Sequence, residues 1–130
     1  MPYTLNISDI YYEEVDNVTY VTFATCGDDQ DREYLTLQNP NLFDDQDISL
    51  GMNYAHVEFC DQNNSQYGGI QKILLEDNIL TISFEKASVI AKQTGFCEIA
   101  LHLSGTPTNL SRVVHELKKI STRDGIINNL

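Results

Sequence analysis

The fold is decided by the stretch of residues 47–70, DISLGMNYAHVEFCDQNNSQYGGI. Over residues 54–60, apolar side chains alternate with polar ones, and this period of two is typical of a strand with one buried face. The apolar members are Ala55, Val57 and Phe59. A polar run follows where the strand should end, and the pair Gly68-Gly69 precedes Ile70. We therefore predict a strand, a polar loop, and a glycine pair that starts a second strand and provides either a left-handed turn or a close approach of the backbone.

Outward from this stretch, alternation and a high content of β-branched and aromatic residues predict strands over residues 3–12, 18–25, 33–38, 70–75, 79–84 and 96–103. Helical spacing predicts one helix over residues 85–94, ending at Gly95, and a terminal helix that opens at Thr106-Pro107. Acidic loops are expected over residues 27–31 and 42–47, and residues 124–130 are expected to form a frayed tail. This order predicts an α+β fold: a largely antiparallel sheet with about two helices packed on one face.

Length and composition predict a single domain over residues 1–130. The chain is 42% hydrophobic and 21% charged, which is typical of a globular protein with a core of its own. Its first residues lack the basic start and apolar centre of a signal peptide, and no apolar run approaches the ~20 residues of a membrane span. We therefore expect a cytoplasmic protein that has no membrane partner.

The net charge of −11 is concentrated in the first half of the chain. Residues 1–69 carry thirteen acidic residues and one basic residue, Arg32, whereas residues 70–130 carry six acidic and seven basic residues. Phosphates would be repelled by such a surface, which argues against direct binding to nucleic acid or anionic lipid. The charge favours a basic partner, and the alternative is an acidic surface that only promotes solubility.

Motifs for catalysis and metal binding are weak. Glu58 and Asp61 lie near a strand end, and paired acids can hydrolyse or hold a metal, but nineteen acidic residues produce such pairs by chance. The run from Asp61 resembles the start of a calcium loop, yet Gln66 stands where glycine is needed and Lys72 where glutamate is needed. No Cys-x-x-Cys or phosphate-binding loop occurs. We expect no catalytic residue, cofactor or metal site.

Four motifs taken together resemble the immunity protein 10 family, which accompanies bacterial polymorphic toxins. They are residues 34–38 (YLTLQ), 47–52 (DISLGM), 54–62 (YAHVEFCDQ) and 67–70 (YGGI). The likeness continues through the strand over residues 80–84 and the terminal helix. It departs at Asn39, where the family pattern leads us to expect a basic residue. The resemblance implies a small cytosolic protein that binds and neutralises a cognate toxin and is not an enzyme.

We expect the toxin to be contacted mainly by the two acidic loops. The candidate partner-binding residues are Asp28, Asp29, Asp31, Glu33, Asp44, Asp45, Asp47, Glu58, Asp61, Gln62 and Tyr67. An equally weighted alternative for Glu58, Asp61 and Gln62 is that they shape their loop through hydrogen bonds to backbone. The protein would act as a monomer or a homodimer.

Two rival functions remain open at the level of sequence. The first is a small acidic hydrolase or metal-binding enzyme that uses the Glu58 and Asp61 region. The second is a non-catalytic assembly module whose acidic face only keeps it soluble.

Overall fold

The structure is a computed structural model that describes residues 2–28, 30–103 and 109–130. Within these residues, nine strands form one sheet and three helices accompany it. The strands are β1 (Tyr3–Val15), β2 (Val18–Thr25), β3 (Tyr34–Pro40), β4 (His56–Phe59), β5 (Asp61–Tyr67), β6 (Ile70–Glu76), β7 (Ile79–Phe84), β8 (Glu98–Leu103) and β9 (Ile127–Asn128). The helices are α1 (Asp45–Ser49), α2 (Val89–Thr94) and α3 (Leu110–Asp124).

The strands are ordered β5-β4-β3-β2-β1-β8-β7-β6-β9 across the sheet. Neighbours are antiparallel except β1 with β8 and β6 with β9, which are parallel. The predicted α+β class and largely antiparallel sheet are confirmed, although the sheet is larger than expected. A register shift between Ile7 and Asp9 interrupts the pairing of β1 with β2. Residues 3–7 pair with β8, whereas Ile7 and residues 9–15 pair with β2, so Ile7 pairs with both neighbours.

One face of the sheet carries the core, and α3 packs across it. Val113, Leu117 and Ile120 lie at helical spacing on α3 and are fully buried. The strands contribute every second side chain, as Leu35 and Leu37 do from β3. The opposite face carries polar side chains such as Thr22 and Thr36, whose hydroxyl oxygens lie 2.9 Å apart across β2 and β3, and a polar outer face is common for antiparallel sheets. The predicted start of the terminal helix at Thr106-Pro107 lies outside the described residues.

Strand β5 forms one edge of the sheet, and only two residues join it to β6, which lies next to the opposite edge. The sheet therefore curls and brings its two ends close together. The crossover from β5 to β6 runs through Gly68 and Gly69, whose φ angles of 72° and 80° confirm the predicted left-handed turn. Gln66 fixes this crossover with both ends of its amide. Its Nε2 donates to the carbonyl of Gly68 at 2.7 Å, and its Oε1 accepts from the backbone N–H of Ile90 at the start of α2, at 2.8 Å.

Three local predictions were wrong. The polar loop after Phe59 is strand β5, because Cys60 adopts a left-handed φ of 62° and turns the chain back along β4. The acidic loop over residues 42–47 contains the start of α1, because Asp44 and Asp47 cap that helix. The frayed tail contains β9, which pairs with β6, and the side chain of Asn129 accepts from the N–H of Leu75 at 2.7 Å.

Candidate partner-binding surface

The two acidic loops predicted to bind a partner lie at opposite ends of β3. The β2–β3 loop (residues 26–33) comes before Tyr34, and the α1 segment (residues 41–54) comes after Pro40. A strand of this length spans about 20 Å, at ~3.3 Å per residue. Strand β4 runs back from the α1 end, which places Glu58, Asp61 and Gln62 toward the β2–β3 loop. The structure therefore does not gather the candidate acids into one compact patch.

The β2–β3 loop exposes Asp28 and Asp31 to solvent. The carbonyl of Asp28 accepts from the N–H groups of Asp31 and Arg32, both at 2.9 Å, so the turn is closed by backbone. Arg32 forms an ion pair with Asp9 at 2.9 Å, which offsets part of the negative charge beside the loop. Asp29 lies outside the described residues.

Glu33 and Glu58 each accept a hydrogen bond from a tyrosine hydroxyl, from Tyr3 and Tyr34 respectively. The bond to Glu33, with burial and the glutamate's charge, raises the pKa of Tyr3 to about 12. Burial, and then the bond to Glu58, also raise the pKa of Tyr34. The hydroxyl groups of Tyr3 and Tyr34 thus position the carboxylates of Glu33 and Glu58. A hydroxyl donor is neutral, so it adds no positive charge beside either carboxylate.

Asp61 and Gln62 lie at the start of β5, next to a register shift in its pairing with β4. Asp61 Oδ1 accepts from the N–H of Asn63 at 2.8 Å, as in an Asx turn. The carbonyl of Gln62 accepts from the Ser65 hydroxyl at 2.7 Å, whereas the Gln62 side chain is exposed. These bonds support the loop-shaping alternative for Asp61.

Tyr67 lies opposite His56 in the β4–β5 pair, on the polar face of the sheet. The two rings meet edge to face, with their centroids 4.8 Å apart. Tyr67 remains 42% exposed, so its ring is available to a partner. Burial lowers the pKa of His56, while the charge of Glu58 acts in the opposite direction.

The α1 segment uses two of its three candidate acids as a capping box. Asp44 Oδ1 accepts from the N–H of Asp47 at 2.7 Å, and Asp47 Oδ2 accepts from the N–H of Asp44 at 3.1 Å. Negative charge in the first turn also suits the helix dipole. Asp45 is exposed and has no part in the capping box.

The α1 segment also exposes three large aliphatic side chains, which the sequence predictions missed. Leu42 is 87%, Ile48 56% and Leu50 62% exposed. None of the residues from 41 to 54 is buried, although the segment joins two buried strands. The available signal was the presence of leucine and isoleucine among the acidic residues of this stretch.

Contacts from α3 hold the α1 segment in place. The Arg123 guanidinium lies 4.5 Å from the ring centroid of Phe43, a cation–π contact. Arg123 Nη1 also donates to the side-chain oxygen of Asn39 at 2.5 Å and to the carbonyl of Pro40 at 3.3 Å. Asp124 accepts from the N–H of Ala55 at 2.9 Å. Both ends of the segment are therefore tied to the end of α3.

Asn39 joins this network to a buried acid. Its side-chain amide donates to Glu116, which is 1% exposed, and Lys119 Nζ lies 3.5 Å from the other oxygen of Glu116. Asn39 is itself buried, so its amide serves Glu116 and Arg123 at once. At the position where a basic residue was expected, the chain thus has a neutral bridge between an acid and a base.

Glu58 and Asp61 lie outside the two grooves beside α3. Among the described residues, no group of three or more His, Cys, Asp and Glu side chains could hold a metal ion. Two grooves of about 540 and 400 Å³ lie beside α3, and neither is lined by these two acids. None of the helices in the described part of the chain is long and apolar enough to cross a membrane.

Comparison with known proteins identifies the family. The sequence model of the family described as Immunity protein 10 matches residues 6–109. The match begins inside β1, includes β2 to β8, both acidic loops and the α1 segment, and ends where α3 begins. Searches of curated proteins and of solved structures gave no match. Because the matched residues make up most of the chain, this protein belongs to the immunity protein 10 family.

Proposed function

We propose that this protein binds and neutralises a cognate toxin of a bacterial polymorphic toxin system, and so protects the cell that makes both. It acts in the cytoplasm by stoichiometric occlusion and performs no chemistry. The observation that carries the proposal is the match of the immunity protein 10 family to residues 6–109. The toxin is its macromolecular partner, and neither nucleic acid nor membrane is bound directly.

Charge supports a toxin with a basic cleft, such as that of a nuclease. The half of the sheet formed by β1–β5 belongs to the part of the chain with thirteen acidic residues and one basic residue. The other basic residues belong to β6, α2, α3 and the turn before α2. An acidic surface that meets a basic cleft speeds association and favours the correct partner over others.

Co-expression tests the proposal directly. The toxin gene beside this one is induced in a susceptible host with and without this chain, and survival is scored. We expect survival only with this chain, and calorimetry of the purified pair should give a fixed stoichiometry. Death of the host in both cases, with no heat of binding, would contradict the proposed function.

The acidic surface is tested by removing equal charge from two places. Asp28→Asn with Asp45→Asn alters exposed acids of the two candidate loops, whereas Glu76→Gln with Glu85→Gln alters exposed acids elsewhere. We expect the first pair to lower the association rate constant by about 3- to 10-fold at low salt and the second to leave it nearly unchanged. Raising salt should slow wild-type association. An association rate that does not depend on salt would show that the acidic surface is incidental.

A further inference from the structure

We propose that Leu42, Ile48 and Leu50 of the α1 segment form an apolar anchor that inserts into a pocket with a basic rim on the toxin. The inference rests on the proposed function, because it names the part of this chain that makes the central contact. It is based on the exposure of these three side chains and on the contacts from α3 that fix both ends of the α1 segment.

The exposure of the anchor is not explained by folding. Single exposed aliphatic side chains are common on protein surfaces, but here three lie within nine residues, each more than half exposed. Helix α1 has five residues and buries none of them. Such a short helix has little stability of its own, and packing of an apolar face normally supplies the rest. In α1 that contribution from packing is missing.

The anchor is nevertheless held in a defined position. Asp44 and Asp47 cap α1 reciprocally, and Met52 donates its N–H to the carbonyl of Asp47 at 2.8 Å. At one end of the segment a guanidinium from α3 stacks on Phe43, and at the other a carboxylate from α3 binds the N–H of Ala55. A pre-ordered segment loses less conformational entropy on binding, so its apolar side chains contribute more fully to affinity.

Charge decides between a toxin and a second copy of this chain as the occupant. Asp44, Asp45 and Asp47 lie within the same nine residues as the anchor. In a symmetric dimer built on this patch, the carboxylates of one copy would face those of the other, and the repulsion would oppose association. A pocket rimmed by lysine or arginine would instead pair with them. Apolar side chains at the centre of an interface and charges at its rim match the usual anatomy of such contacts.

The test replaces the anchor without touching the core. The triple variant Leu42→Ser, Ile48→Ser, Leu50→Ser is compared with a control, Val89→Ser with Ile127→Ser, whose side chains are 41% and 62% exposed. The probe is the purified C-terminal domain of the toxin encoded beside this gene. We expect Kd to rise on the order of 100-fold for the triple variant, mainly through faster dissociation, and to change less than about 3-fold for the control.

Stability and mass are measured on the same samples. The urea midpoint of the triple variant should equal that of wild type. If the triple variant is unstable, Leu42→Ser alone is used instead, because Leu42 is the most exposed of the three side chains, and it should still weaken binding. An unchanged Kd in a folded triple variant would overturn the anchor while leaving the proposed function intact. A dimer that the triple variant dissociates, with the Kd for toxin unchanged, would also overturn it. Failure of the wild-type protein to bind would instead contradict the proposed function itself.

Discussion

The guanidinium of Arg123 lies 4.5 Å from the ring centroid of Phe43, so the last turn of α3 holds the start of the α1 segment. The same side chain donates from Nε to Asp124 at 2.8 Å and from Nη1 to Asn39 at 2.5 Å. A planar guanidinium can stack and donate in several directions at once, whereas an ammonium group cannot reproduce this geometry. Arg123 thus connects the exposed α1 segment to a buried polar network.

Replacing Arg123 by lysine should destabilise the protein. We expect Arg123→Lys to lower the free energy of unfolding by about 1–2 kcal/mol, because the stacking on Phe43 and at least one hydrogen bond are lost. Urea denaturation measures the change. Arg112→Lys is the control, since that guanidinium also covers an aromatic ring, Tyr12, but at 5.4 Å and on an exposed residue. Equal losses in the two variants would show that the network around Arg123 adds nothing.

Asn39 should be among the more sensitive polar positions of the fold. Asn39→Leu leaves the buried Glu116 without its amide donor and Arg123 without one acceptor, so we expect a loss of about 2–4 kcal/mol. Gln38→Leu, at the neighbouring position on the polar face, should cost less than about 1 kcal/mol. Both are measured by urea unfolding with a common m-value. If the urea midpoint of Asn39→Leu equals that of wild type, the hydrogen bonds of Asn39 do not stabilise the fold.

The crossover glycine Gly69 should tolerate alanine less well than Gly95 does. Both have left-handed φ angles, 80° and 84°, so alanine meets the same backbone cost of about 1 kcal/mol at each. A Cβ at Gly69 would also collide with the amide of Gln66, which is hydrogen-bonded at both ends, whereas nothing lies within 4 Å of a Cβ at Gly95. We expect Gly69→Ala to lower Tm several degrees more than Gly95→Ala. Equal decreases in Tm would mean that the amide moves aside without cost.

His56 should make stability fall in weak acid. Its pKa is lowered in the folded state by burial, and its Nδ1 is buried without a hydrogen bond among the described residues. The unfolded state therefore binds a proton at higher pH than the folded state. As pH drops below the ordinary histidine pKa of about 6.5, unfolding is favoured until the folded pKa is passed. Comparing Tm at pH 7.5 and pH 5.5, we expect His56→Gln to reduce the decrease seen in wild type. The same decrease in both proteins would contradict this.

Local sequence patterns were sufficient for most of the core strands and for the family. The alternation around Val57 in β4 and around Ile82 in β7 predicted strands, because the two faces of a strand have fixed periodicity. Gly68 and Gly69 predicted a left-handed turn, since only glycine adopts that φ cheaply. Strand β5 was missed because its polar side chains carry no such alternation. Its pairing with β4 depends on the left-handed turn at Cys60, which no local pattern indicated.

The sequence by itself determined the acidic character of the first half, the α+β class and the membership of the immunity protein 10 family. Only the tertiary structure decided where the charges lie. Strand β3 separates the β2–β3 loop from the α1 segment by its whole length, and sequence proximity cannot reveal such a separation. The exposure of Leu42, Ile48 and Leu50 was likewise decided by tertiary contacts, because the burial of an apolar side chain depends on which surfaces the rest of the chain brings to it.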